Sequence, residues 1–200
     1  MKKAVLLALA GLCLVLFTTS CEQSALEKGN SLFANKNFNE AIEAYSLYLV
    51  DHPKDADAFF NRARAYEEQG MLKEALEDYE KASGINPYEY RFELGSGVTS
   101  IKLENYNQAL INLNQAIELN PNAPDAYVYK GMVLIRQGKV DKALEHYNTA
   151  IRYDNNYAAA YYHRGVLKAL SKKGGACEDL RKAQSLGYDR ANDAINKYCS

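Results

Sequence analysis

Histidines, cysteines and paired carboxylates are the groups from which this 200-residue chain would build a reaction centre, and they are widely dispersed. His52, His146 and His163 fall in different segments of the chain, without HExxH spacing or paired cysteines beside them, so no metal site is expected. No GxSxG, Walker or dinucleotide pattern occurs. Gly95-Ser96-Gly97 is too short to cradle a phosphate, and Gly174-Gly175 suits a turn. Acid pairs such as Glu77-Asp78 are expected on solvated outer helix faces. The chain is therefore expected to have no catalytic residues, no cofactor and no small-molecule substrate. Its formal net charge of −1 gives no basic excess for nucleic acid. With 48% hydrophobic and 24% charged residues, it is expected to fold.

The cysteines point outward from the cytoplasm. Lys2 and Lys3 precede an apolar run from Ala4 to Phe17, too short to span a bilayer comfortably, followed by Thr18-Thr19-Ser20. Residues 1–20 are thus expected to be an export signal. The stretch FTTSC resembles the lipobox of bacterial lipoproteins, in which the cysteine is acylated and becomes the first mature residue. Thr18 departs from that box, which carries leucine there. The resemblance implies a lipid on Cys21; the alternative is plain cleavage after Ser20. Cys13 leaves with the signal, so Cys177 and Cys199 remain, either as one disulfide or as two unpaired small hydrophobes. Ser24-Ala25-Leu26-Glu27 matches a capping box, so a helix is expected to begin just after Ser24, almost without a linker from Cys21.

These groups need elements to position them, and the chain spells the same element repeatedly. Ala41, Ala75, Ala109 and Ala143 are each 34 residues apart, as are Pro53, Pro87 and Pro121, with Asn155 in the next place. Tyr45, Tyr79, Leu113 and Tyr147 keep that interval, and so do Gly97, Gly131 and Gly165. A fixed period of this kind marks stacked helix pairs. Leu72, Ala75, Leu76, Tyr79 and Ala82 share one helical face, Phe59, Ala63 and Tyr66 another, and Gly70 turns the chain between them. Each pair alone would leave half its apolar surface wet, so the pairs must stack.

The period, the A-x-x-x-Y-x-x-A face and the closing proline resemble the tetratricopeptide repeat, specifically in its bacterial lipoprotein form. Repeats fall at 22–55, 56–89, 90–123 and 124–157. A degenerate fifth covers 158–186 and has lost one residue, since ACEDLRKA aligns with ALEDYEKA one position early. Residues 187–200 suit a capping helix. Repeat 3 departs most, with Ser96 and Ser100 at positions normally larger and apolar. The resemblance implies an all-α, right-handed α-solenoid of about five helix pairs plus that cap. It also implies a scaffold in the bacterial cell envelope, anchored at the inner or outer membrane and binding a protein or peptide segment. A structural lipoprotein without a groove ligand, and a regulator or escort of an envelope enzyme or a secretion or pilus machine, are the alternatives.

The family binds peptides on the inner faces of its first helices. At those positions this chain offers Leu94, Val98 and Ile101, then Val128, Met132 and Ile135, then Tyr162 and Val166, either an apolar groove for a partner or side chains that superhelical curvature packs on one another. The family's carboxylate clamp is not expected: Asn30, Asn61 and Arg91 resemble three of its residues, but Leu26 and Gly95 replace two of its basic ones. Charge is uneven, with 14 acids against 7 bases in 22–89 and 8 bases against 4 acids in 158–200. This charge suits either ordinary solvated helix faces or a polarised array in which Lys102, Arg136 and the basic last repeat meet acids of a partner.

Overall fold

In the computed structural model, which describes residues 25–199, every stretch with three-and-four apolar spacing is helical. The export segment, Cys21 and Ser24 lie outside the described residues. No strand occurs among the described residues. The chain divides at Pro87 into two units. The first holds α1 (residues 25–34), α2 (Phe38–Asp51), α3 (Ala56–Glu68) and α4 (Leu72–Ile85). The second holds α5 (Tyr90–Lys102), α6 (Tyr106–Leu119), α7 (Pro124–Arg136), α8 (Val140–Tyr153), α9 (Ala158–Leu170), α10 (Ala176–Ser185) and α11 (Ala191–Tyr198).

One backbone device closes each helix pair. Lys36, Gly70, Glu104, Gly138 and Lys172, again 34 apart, have φ of 63, 75, 59, 73 and 53°. At each turn the next residue's N–H reaches back five residues, as Met71 does to the Tyr66 carbonyl and Lys139 to that of Leu134, both at 2.9 Å. This left-handed termination satisfies carbonyls that the helix end would otherwise leave unpaired. Glycine adopts that conformation freely, whereas the lysines and the glutamate pay a steric cost. Lys36→Gly, Glu104→Gly and Lys172→Gly should therefore each raise stability by about 0.5–1 kcal/mol. A urea midpoint that rises with an unchanged slope checks this, and a midpoint that falls refutes it.

Within a pair, a small residue on the first helix lets a large one on the second approach. A Cβ added at Gly29 would lie 2.7 Å from the Tyr45 ring, and one at Gly97 2.9 Å from Leu113. Gly131 lies likewise beneath Tyr147, and Gly165 beneath Leu180. Between pairs, α2 packs on α3, α6 on α7 and α8 on α9, and α7 also touches α5 and α9.

The packing corrects one expectation. Asp78 is not solvated: it is 2% exposed and holds Arg62 through Nε at 2.6 Å and Nη2 at 2.9 Å. The third guanidinium nitrogen donates to Ser46 Oγ, 2.9 Å away on the preceding pair. The same stitch recurs in the second unit, where Arg164 holds Asp179 and reaches Asn148 Oδ1 at 2.7 Å. Glu77, its neighbour, is exposed as expected. Successive helix residues point about 100° apart, so one acid of the pair meets solvent and the other the neighbouring helix.

The last repeat closes differently. Gly174-Gly175 is a turn, with Gly175 at φ 78°, and α10 has 10 residues where α8 has 14. Helix α11 packs on α10 and α9, burying Ala191 and Ala194 while Asn192, Asp193, Asn196 and Lys197 face solvent. Cys177 and Cys199 are joined, with Cα atoms 5.6 Å apart.

Candidate functional site

In the second unit the first helices of three successive pairs, α5, α7 and α9, lie side by side. Leu94, Val98 and Ile101 occur at i, i+4 and i+7 on α5, so they share one helical face, and Met132 and Ile135 repeat that spacing on α7. All five are half-buried, as are Tyr162 and Val166 on α9. Val128 is different. At 3% exposure it joins the core cluster with Tyr127, Leu134 and Tyr147, against which Tyr157 also packs, so it offers no surface to a partner. Met132 and Ile135 pack on that same cluster from its edge, and Leu94 and Ile101 pack on the Ala109–Leu113–Val133 cluster. The expected groove is therefore a shallow apolar face on which Leu94, Val98, Ile101, Met132, Ile135, Tyr162 and Val166 stay partly exposed and Val128 does not.

Charge frames this face. Lys102 and Arg136 are exposed at the C-terminal ends of α5 and α7. Asp125, at the start of α7, is half-buried, and burial raises its carboxyl above the usual range while the Ala126 N–H bonds Oδ1 at 2.8 Å. At the far edge, Tyr188 and Arg190 reach over Tyr162 from the loop before α11. These two fall beyond the last repeat, where the 34-residue register assigns no position, and sequence reasoning did not single them out as site residues. The residues resembling a carboxylate clamp have partners within the chain. Asn30 Oδ1 accepts from the Tyr45 hydroxyl at 2.8 Å, and Arg91 pairs with Glu89 at 3.1 Å.

The histidines pack instead of ligating. His52 stacks on Tyr48 with centroids 4.1 Å apart, and His146 and His163 lie 5.9 Å from the rings of Tyr127 and Tyr147. No cluster able to hold a metal occurs among the described residues. Burial, reinforced by Arg190, pushes His163 down to about 4; burial and Lys130 do the same to His146. The unfolded imidazoles titrate near 6.5, so the unfolded chain takes up protons first as pH falls. Stability contributed by neutral His163 and His146 should be present above pH 6.5 and lost progressively toward pH 4. Thermal melts across that window should show the loss, and His163→Phe should flatten the pH dependence. An unchanged slope in that variant refutes the assignment.

Tandem helix pairs, first helices side by side in the second unit, left-handed terminations every 34 residues and a polar cap define the α-helical repeat class. Family models describing the tetratricopeptide repeat match residues 26–90, 94–123 and 112–145, and a further model of the repeat matches 131–171. These stretches are tetratricopeptide repeats. Hsp70-Hsp90 organizing protein 1 of Glycine max is 31% identical over 106 residues, which is 53% of this chain and 18% of that protein. The chain thus covers less than a fifth of that relative's length. Among solved structures, YrrB, described as a tetratricopeptide protein with an unusual peptide-binding site, is 28% identical. Its TM-score is 0.65, with 90% of this chain and 97% of YrrB covered. The pilF protein of Pseudomonas aeruginosa, at 19% identity and TM-score 0.75, covers 84% of this chain and 78% of its own, and shows the shared fold.

Proposed function

We propose that this chain is an exported lipoprotein of the bacterial envelope, acylated on Cys21, that serves as a scaffold binding a protein segment across α5, α7 and α9. The observation that carries the reading is the partly exposed apolar face of those three adjacent helices, including Val98 and Val166. Repeat arrays of this type bind along such faces, and the peptide-binding site ascribed to YrrB supports the same use here. The charged n-region, apolar run and FTTSC stretch support export and lipidation at the inner or outer membrane. No helix among the described residues is long and apolar enough to cross a membrane, so on this reading attachment is through lipid.

Two measurements test it. A photo-crosslinker at Val98 in living cells should give one discrete, stoichiometric adduct that Val166→Glu removes while the melting temperature holds. Absence of any discrete adduct would favour a structural lipoprotein without a groove ligand. For the anchor, Cys21→Ser should move the protein from the membrane to the soluble fraction; retention in the membrane would remove lipidation from the proposal.

A further inference from the structure

The basic residues of the last repeat are unequally employed. Arg164 and Lys168 both pair with Asp179, and Lys173 pairs with Asp141. Lys182 and Lys197 are exposed without a carboxylate partner among the described residues, over the Tyr161 and Tyr198 rings; Arg190 shares that state but sits on Tyr162, a residue of the apolar face. Its guanidinium lies over the Tyr162 ring, 5.5 Å from the centroid. The Tyr188 ring flanks the same tyrosine at 4.6 Å, and His163 meets it edge-on at 5.2 Å. The loop carrying Tyr188 and Arg190 turns at Gly187, φ 82°, and is held between α10 and α11, which the Cys177–Cys199 bond joins. A cation seated on an aromatic face loses little freedom when it pairs, because stacking has already oriented it.

Resting on the reading of α5, α7 and α9 as the partner face, we infer that Arg190 on Tyr162 is a built anchor for an acidic side chain of the bound segment. An acid here would extend the apolar contacts of Val98, Val166 and Tyr162 with a charge-assisted hydrogen bond at the edge of the face. Arg136, also exposed, lies on the same set of helices and favours the same sign of ligand, and residues 158–200 carry 8 bases against 4 acids. The exposed Asp189 beside Arg190 would weaken the local field without occupying the ring-stacked guanidinium.

The test uses the full chain in detergent and fluorescein-labelled, C-terminally amidated dodecapeptides alternating Leu with Glu, Gln or Lys, titrated by polarisation. Leu–Glu should bind most tightly and weaken with salt. Arg190→Ala should weaken it about fivefold, the upper range for an exposed ion pair, and Arg190→Lys, which keeps the charge without the stacked plane, should fall between. Equal melting temperatures of the two variants show that the cap is intact. If Val98→Glu abolishes Leu–Glu binding and Arg190→Ala leaves it unchanged, the face stands and the anchor is wrong. If neither variant matters, or Leu–Glu does not bind, the anchor and the face both fall. Tighter binding of Leu–Lys than of Leu–Glu overturns the choice of an acidic ligand.

Discussion

Asp78→Ala is expected to destabilise the first unit by about 3–5 kcal/mol, because it leaves the Arg62 guanidinium buried without its counter-charge. The pair is well enclosed, with side chains 14% and 2% exposed, and it is bidentate. Arg62 also ties two helix pairs together through Ser46, so the loss should spread beyond α3 and α4. Asp179→Ala should act similarly on the second unit, where Arg164 and Lys168 would both lose their acid. Removing both partners, as Arg62→Leu with Asp78→Leu, should recover most of the loss, since no charge then remains buried. Denaturant melts of the four chains decide the matter. A single mutant as stable as the parent would show that the pair is solvated after all.

The second large effect is expected from Gly131→Ala, one methyl group. Its Cβ would lie 2.5 Å from Cε1 of the Tyr147 ring, closer than carbon atoms approach, and Tyr147 is fully buried. The ring has little room to retreat within the cluster of Ala143, Ala150 and Leu167. The cost should be about 1–3 kcal/mol, a fall of about 3–10 °C in the melting temperature. Ala63, facing Tyr79 at the corresponding place in repeat 2, shows that a Cβ is tolerable there when the neighbours are built around it. The Tyr147 hydroxyl is buried with no hydrogen-bond partner, unlike Tyr45 and Tyr79, which donate to Asn30 and Glu67. Tyr147→Phe should therefore be neutral or stabilising. A melting temperature unmoved by Gly131→Ala would refute the close approach.

The helical architecture was legible because its cause is periodic. Small residues at 97, 131 and 165 and large ones at 113 and 147 state directly which helix faces must meet. Asp78 was not legible by the same reasoning, since an acid beside another acid normally marks a wet surface. A signal was nevertheless present: Arg62 and Arg164 are 102 apart while Asp78 and Asp179 are 101 apart, the same one-residue deletion seen across the last repeat. Val128 misled for another reason. It occupies a position that the family uses for binding, but whether that position is wet depends on side chains from neighbouring elements, here the cluster that Val128 shares with residues of α8 and α9. Tyr188 and Arg190 escaped notice because tertiary folding of a non-repeating loop, which periodicity does not describe, brings them to Tyr162.

The two ends of the array have different futures. Past α10, α11 turns Asn192, Asp193, Asn196 and Lys197 to solvent, and the Cys177–Cys199 bond ties it to α10, so this side offers little apolar surface for another pair to stack on. At α1 and α2, by contrast, a cavity of about 300 Å³ lined by Leu32, Ala44 and Leu47 lies open, and Leu47 is 66% exposed. Lys28 there occupies the register of Arg62, the residue that elsewhere reaches to a preceding pair. Duplication of a 34-residue unit would therefore be accommodated upstream of α1 or between existing pairs, and rejected downstream of α10. Lengthening in evolution or by design would have a direction, with the C-terminal hairpin as its fixed origin.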